Sequence, residues 1–251
     1  TLAAGEGFWV KCSSDTVQLV GDEPVPQTVE VAGGWNIIGP FADSVDTESI
    51  STDPSGIIES SFFGLDPTGG YAFASLLAPG NGYWVKTSQA GTLDLTGGGG
   101  SSSLASASPL SEARAGLEGT ETQLQVTDQE GQEATLWLEH GASPDGEQEL
   151  PPTPPGEVFD VRFAGGTFLA AWAPDAGGAS FREVRLQGAD YPLTLRLKGR
   201  SPSAVVRVKQ GVGSSAPVTS LTPEAPSMTV QDETGGLQVA LLRVVPDNFA
   251  L

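Results

Sequence analysis

Residues 122–138 read TQLQVTDQEGQEATLWL, and apolar and polar side chains alternate on both sides of the turn-forming group DQEG. Leu124 and Val126 precede the turn, and Leu136 and Leu138 follow it. An alternation with a period of two places the apolar side chains on one face of a strand, and Asp and Gly are common in hairpin turns. The stretch therefore predicts a β-hairpin with one buried face.

Two later stretches repeat this alternation around glycine turns and predict a second and a third hairpin. They are VFDVRFAGGTFLAAW at residues 158–172 and VRLQGADYPLTLRLK at residues 184–198. Further strands are predicted at residues 205–209, 227–231 and 237–245. Eight or nine short strands at this spacing predict an all-β fold in which this part is an Ig-like or jelly-roll-like β-sandwich.

The composition agrees with short strands and excludes several classes of protein. Gly and Pro together, at 33 and 19 of 251 residues, exclude coiled coils and long helical bundles, and the glycines lack the period of collagen. Acidic residues outnumber basic ones by 31 to 12, a net charge of −19 that repels the phosphates of nucleic acids. No apolar run approaches the ~20 residues of a membrane helix. We therefore expect neither a nucleic acid partner nor insertion into a membrane.

The first part of the chain contains an internal repeat. LAAGEGFWVK at residues 2–11 returns as LAPGNGYWVK at residues 77–86, with two glycines, an aromatic pair, Val and Lys in register. Between the two copies, GGWNIIGP at residues 33–40 predicts a buried strand ended by Gly-Pro, and residues 71–77 alternate. Residues 1–96 are thus predicted to form a small β module that contains the repeat.

A change of composition marks the predicted domain boundary. The run GGGGSSS at residues 97–103 opens a Gly/Ser/Ala-rich stretch that is typical of a flexible linker. We place the linker at residues 97–121 and the β-sandwich domain at residues 122–251.

A proline-rich segment, LPPTPPG at residues 150–156, is predicted to be extended. It is interpreted as a rigid crossover between sheets, with a docking site for a partner as the alternative.

Both parts of the chain resemble known modules. The GWN strand between PG-x-GYWVK strands, over about residues 2–97, resembles a β repeat module of secreted bacterial proteins. LPPTPPGEVFDVRF at residues 150–163 and VPDNFAL at residues 245–251 resemble the region just before the C-terminal sorting domain in cargo of the bacterial type IX (Por) secretion system. The Asn- and Pro-rich run that continues the family pattern is absent. The resemblance implies a location outside a Gram-negative bacterium, free or on its outer surface.

No residue pattern points to catalysis or to a bound transition metal. His140 is the only histidine, Cys12 is the only cysteine, and there is no Gly-x-Ser-x-Gly sequence. One Cys and one His do not complete a zinc site of the usual kind, nor do they form a nucleophile and base pair at useful spacing. We therefore predict no catalytic residues, no metal ligands and no cofactor. Calcium stays open, because DSVDTE at residues 43–48 offers three carboxylates in one loop, although a solvated acidic loop is the favoured interpretation.

The aromatic pairs of the repeat are the candidate contact residues. Trp9, Tyr83 and Trp84 occupy matching or adjacent repeat positions, and exposed rings of this kind can stack on a sugar or contact a partner. Adjacent residues of a strand point to opposite faces, so one ring of each pair is expected in the core. The glycines beside them are interpreted as turn residues rather than a phosphate cradle.

These observations predict a non-catalytic structural or adhesive module of a secreted or cell-surface protein. The alternative is an accessory or carbohydrate-binding region of a larger secreted enzyme. The chain begins inside a repeat copy, so the strand at residues 8–12 is expected to present a free edge. Strand edges of this kind predict contact with a second copy of the chain or with a neighbouring surface protein.

Overall fold

The chain divides into two compact units. The computed structural model describes residues 27–66, 70–96, 122–140, 148–172, 180–199, 204–232 and 236–243. One unit comprises Thr1–Leu65 with Ala72–Ser111, and the other comprises Asp66–Tyr71 with Glu112–Leu251. The first repeat copy, with its strand at residues 8–12, and the predicted linker at residues 97–121 lie outside the described residues.

The prediction of an all-β fold is confirmed. The described residues form nineteen strands in mostly antiparallel sheets, and a 3-10 turn at Thr47–Ser49 is the helical element among them. The first nine strands are β1 Thr28–Val31, β2 Gly34–Ile38, β3 Val45–Asp46, β4 Ser51–Asp53, β5 Phe62–Asp66, β6 Gly70–Ala74, β7 Leu76–Leu77, β8 Tyr83–Thr87 and β9 Gly91–Asp94. They form a four-stranded sheet in the order β2-β8-β5-β6, a three-stranded sheet β1-β9-β4 and the pair β3-β7.

The strand predicted from GWN lies directly beside the second repeat copy. β2 pairs antiparallel with β8, with Gly34 opposite Thr87 at one end and Ile38 opposite Tyr83 at the other. One face of this pair enters a core that includes Ile38, Tyr83 and Val85. The alternation predicted over residues 71–77 is interrupted, because β6 ends at Ala74 and β7 begins at Leu76.

Asn36 of the GWN motif holds the turn between β1 and β2. Its side-chain oxygen accepts a hydrogen bond from the backbone N–H of Ala32 at 2.9 Å, and its amide nitrogen donates to the carbonyls of Ala32 and Gly34 at 2.8 and 2.9 Å. The Thr87 hydroxyl of β8 donates to the same Ala32 carbonyl at 2.7 Å. An amide satisfies both a backbone donor and a backbone acceptor, which explains why Asn serves at this position.

The second unit is a sandwich of two five-stranded sheets. One sheet has the order β13-β11-β10-β15-β18, and the other has the order β12-β14-β19-β16-β17. Its strands are β10 Thr122–Thr127, β11 Glu133–His140, β12 Asp160–Phe163, β13 Leu169–Trp172, β14 Arg182–Gln187, β15 Leu193–Lys198, β16 Ala204–Gln210, β17 Val218–Leu221, β18 Ser227–Val230 and β19 Leu237–Arg243. Buried side chains from both sheets form one core, for example Leu124 and Leu136 from the first and Val206 and Val239 from the second.

The hairpin at residues 122–138 is confirmed, but the two later hairpins are wrong. β10 pairs antiparallel with β11 across the predicted turn. β12 pairs instead with β14, and β13 lies parallel to β11 in the opposite sheet. β14 and β15 are likewise divided between the two sheets. Alternation reports which face of a strand is buried, and that face is the same whether the next strand continues the sheet or crosses to the facing one.

No described segment forms a helix of the length and apolarity that a membrane span requires.

Candidate functional site

The structure separates the predicted contact residues. Trp9 lies outside the described residues. Tyr83 is only 7% exposed and lies in the core, where its hydroxyl accepts a hydrogen bond from the Ala78 N–H at 2.9 Å. Its ring therefore presents no face to a sugar or a partner. Trp84 points to the opposite face of β8 and is half-buried, so of these three residues it is the one with a described position outside the core.

Trp84 belongs to a group of aromatic rings on the outer face of the four-stranded sheet. Phe63 of β5 lies directly opposite Trp84, and its ring centroid is 6.0 Å from that of Trp35 and 5.1 Å from that of Phe73. The register places Trp35 opposite Lys86, two residues beyond Trp84 on the same face of the strand. We call Trp35, Phe63, Phe73 and Trp84 the aromatic surface.

The aromatic surface is separate from the core of its unit. Phe63 is 2% exposed but is not a member of the core cluster, whereas its neighbour Phe62 is. Trp35, Phe73 and Trp84 are half-buried. The indole Nε1 of Trp84 is buried, and no residue that the structure describes accepts its hydrogen bond. A buried donor without an acceptor is uncommon in proteins and costs free energy.

Glycines beside the repeat aromatics serve the turn, as interpreted from the sequence. Gly80 has a φ of +85°, a conformation that L side chains rarely adopt. A Cβ atom on Gly82 would lie 3.3 Å from the side chain of Ile37. Both glycines of the second copy thus have structural reasons for their presence.

The acidic loop at residues 43–48, for which the sequence leaves calcium binding open, forms local hydrogen bonds. The Asp46 carboxylate accepts a hydrogen bond from the Glu48 N–H at 2.9 Å and caps the 3-10 turn. Within the described residues, no three His, Cys, Asp or Glu side chains are grouped so that they could hold a metal ion. His140 ends β11, where its backbone lies beside that of Trp172.

Sequence reasoning missed a second candidate site, a cavity of about 650 Å³ in the sandwich unit. Its lining includes the polar side chains Asp160, Arg162, Arg185, Gln187 and Asp232 and the ring of Tyr191. Asp160 and Arg162 are 4% and 5% exposed, although alternation predicted polar positions on the solvent side of β12. The Arg162 Nε and Nη2 atoms donate to the two Asp160 carboxylate oxygens at 2.5 and 2.7 Å.

The proline-rich segment explains why this pair is buried. The Arg162 Nη1 donates to the Pro151 carbonyl at 2.8 Å, and the Gln187 amide donates to the Pro154 carbonyl at 2.9 Å. Pro151 and Pro154 are buried. The segment connects β11 in one sheet to β12 in the other, as expected of a crossover. A polyproline conformation has no internal hydrogen bonds, and this need for donors is the sequence signal that could have pointed to Arg162 and Gln187.

Two groups of residues therefore carry the chemistry of the described chain, the aromatic surface and the cavity beside Asp160 and Arg162. Comparisons of the chain with protein-family models, with curated proteins and with solved structures gave no match.

Proposed function

We propose that the chain is a non-catalytic structural and adhesive module of a secreted or cell-surface bacterial protein. The observation that carries the proposal is the aromatic surface, because the four-stranded sheet bears apolar side chains on both faces. One face contributes Ile38, Tyr83 and Val85 to the core. The other face presents half-buried Trp35 and Trp84. We infer that this second face is where a partner docks.

The chemistry of the aromatic surface suits a protein contact. Aromatic residues are enriched in the centres of protein interfaces, where large rigid rings bury apolar area at little cost in side-chain entropy. The location outside the cell and the type IX export route have a different support, which is the resemblance of residues 2–97, 150–163 and 245–251.

Carbohydrate binding, in an accessory region of a larger secreted enzyme, is the second candidate. The cavity in the sandwich unit favours it, because the exposed side chains of Glu183 and Arg185 in its lining carry planar groups that can each bond two neighbouring hydroxyls. The ring of Tyr191 adds an apolar wall. On this proposal the ligand is a short glycan, and the aromatic surface is not needed for its binding.

Two matched variants test the adhesive role. Trp84→Ala removes the half-buried indole, while Leu76→Ala removes an apolar side chain that is 54% exposed on β7 of the same unit. Sedimentation velocity of the full chain, over a range of protein and salt concentrations, measures association with a second copy. We expect association that Trp84→Ala weakens at least tenfold and Leu76→Ala leaves unchanged, with circular dichroism confirming that both variants fold.

Two other results would contradict the adhesive role or favour carbohydrate binding. A chain that stays monomeric at every concentration and salt level, and whose Trp84→Ala variant behaves as wild type, overturns the adhesive role of the aromatic surface. Binding to an immobilised glycan panel that Arg185→Ala weakens and Trp84→Ala does not would establish the carbohydrate candidate instead.

A further inference from the structure

The connection that leads into β8 contains the dipeptide Asn81-Gly82. The chain has three asparagines, Asn36, Asn81 and Asn248, and only Asn81 is followed by glycine. Asn81 and Gly82 are both exposed, and neither belongs to a strand. They end the turn at residues 78–81, in which the Asn81 N–H donates to the Ala78 carbonyl at 3.3 Å. The dipeptide therefore lies between a turn and the first residue of β8.

Two groups of this dipeptide are free to meet. Among the residues that the structure describes, none forms a hydrogen bond with the Asn81 side chain, and no carbonyl accepts one from the Gly82 N–H. The Asn81 side-chain carbonyl carbon and the Gly82 nitrogen are close in the covalent chain, and their bonding closes a five-membered ring. Glycine has no Cβ atom to crowd its nitrogen, and its backbone is the least restricted of all residues. An intramolecular reaction between such groups has a large advantage in proximity.

Asn36 provides an internal comparison, because its surroundings are the opposite. It lies within β2 and precedes the β-branched residue Ile37. Its side chain is held by hydrogen bonds of 2.8–2.9 Å to the backbone of Ala32 and Gly34. A side chain fixed in this way cannot turn its carbonyl carbon towards the next backbone nitrogen without breaking these bonds.

We infer that Asn81 is a site of spontaneous hydrolytic deamidation in the folded protein. The Gly82 nitrogen attacks the side-chain carbonyl carbon of Asn81, forming a carbon–nitrogen bond. The Cγ–Nδ2 bond breaks, and ammonia leaves with the proton from the Gly82 nitrogen. Water then adds to either carbonyl of the cyclic imide and opens it to aspartate or isoaspartate. The net reaction consumes one water molecule and releases one ammonia molecule.

The two products differ in their effect on β8. Both add one negative charge, and the repeat copy at residues 2–11 already has an acid, Glu6, at the position that matches Asn81. Isoaspartate also lengthens the backbone by one carbon atom directly before Tyr83. Tyr83 pairs with Ile38, and its hydroxyl accepts a hydrogen bond from the Ala78 N–H at 2.9 Å. The longer backbone should disturb these contacts, whereas the charge alone should not.

Peptide mapping by mass spectrometry, on the full folded chain incubated at mildly alkaline pH, tests the assignment. We expect conversion at Asn81 at least tenfold faster than at Asn36, with both aspartate and isoaspartate at position 81. Gly82→Ala should slow the reaction several-fold. Because a Cβ atom there would lie 3.3 Å from the Ile37 side chain, circular dichroism checks that this variant folds. Asn81→Gln is a second variant and should abolish the reaction at this position, since its ring would need six members.

Three results would each overturn the inference. They are conversion at Asn81 no faster than at Asn36, an unchanged rate in a folded Gly82→Ala variant, and a product that contains aspartate without isoaspartate. The same incubation in urea measures the rate without the fold, and a folded chain that reacts more than a hundredfold slower would also overturn it.

The structural consequence has its own control. Asn81→Asp adds the charge without the extra backbone atom and should melt at the temperature of the wild type. The isoaspartate form, separated by ion exchange, should melt at a lower temperature than Asn81→Asp. Equal melting temperatures of these two forms would contradict the predicted disturbance of β8. The inference is independent of the aromatic surface and of the cavity.

Discussion

Arg162 binds the carboxylate of Asp160, two residues before it on the same strand, through two hydrogen bonds of 2.5 and 2.7 Å. Residues at this spacing share one face of a β-strand, and the planar guanidinium matches the two carboxylate oxygens. The same guanidinium also donates to the Pro151 carbonyl at 2.8 Å. One buried ion pair thus joins the edge strand β12 to the crossover that precedes it.

Removing one member of the Asp160–Arg162 ion pair should lower the free energy of unfolding more than removing both members. Asp160→Ala leaves a buried guanidinium without its carboxylate and is expected to lower the free energy of unfolding by about 3–5 kcal/mol. The double variant Asp160→Leu with Arg162→Met removes both charges and should lose clearly less, because no isolated charge stays buried. Urea denaturation of the three proteins measures the difference. A double variant that is less stable than Asp160→Ala would contradict this account.

Asn36 should be essential to the turn between β1 and β2. Asn36→Leu removes the acceptor for the Ala32 N–H and two donors, and we expect a loss of about 1–3 kcal/mol in the free energy of unfolding. Asn36→Asp keeps the acceptor and should recover part of the loss. Asn81→Leu, at an exposed position of the same unit, is the control. Equal stability of Asn36→Leu and Asn81→Leu in thermal denaturation would exclude this role.

Alanine substitutions at two glycines distinguish the loss of stability caused by an unfavourable backbone conformation from the loss caused by steric crowding. Gly188 has a φ of +59°, and a Cβ atom there would lie 2.6 Å from the Glu157 carbonyl oxygen. Gly131 has a φ of +85°, and a Cβ atom there would have no neighbouring atom within 4 Å. Gly131→Ala should therefore cost about 1 kcal/mol from conformation alone, and Gly188→Ala clearly more. Calorimetric melting of both variants tests the order, and similar melting temperatures would speak against it.

The hydrogen bonds of Thr96 should control the titration of Asp94. The Thr96 hydroxyl, and with it the Thr96 N–H, donates to the carboxylate and lowers the pKa of Asp94. A lowered pKa in the folded state means that this contribution to stability is present above the unfolded pKa and is lost as the pH falls through the folded value. Thr96→Val should raise the pKa of Asp94 towards its ordinary value, as measured by carbon NMR of the carboxyl group. An unchanged titration would show that the hydroxyl has no such effect.

The amino-acid sequence by itself determined several of the strands, namely those in which apolar and polar side chains alternate clearly. The alternation at residues 122–138 predicted the hairpin of β10 and β11, and the GWN and YWVK motifs predicted β2 and β8, because the period of the side chains is a local property. The crossover role of residues 150–156 followed in the same way from the backbone limits of proline.

Only the tertiary structure decided which strands pair and what lies on their outer faces. The side chains that β12 and β13 bury would be the same whether the two strands lay in one sheet or in two. Alternation therefore could not show that they lie in opposite sheets. Asp160 and Arg162 read as solvent-facing, and they are buried because the preceding segment, residues 150–156, packs over them. The aromatic surface arises likewise from long-range pairing, since a strand's own residues do not specify which neighbour it has.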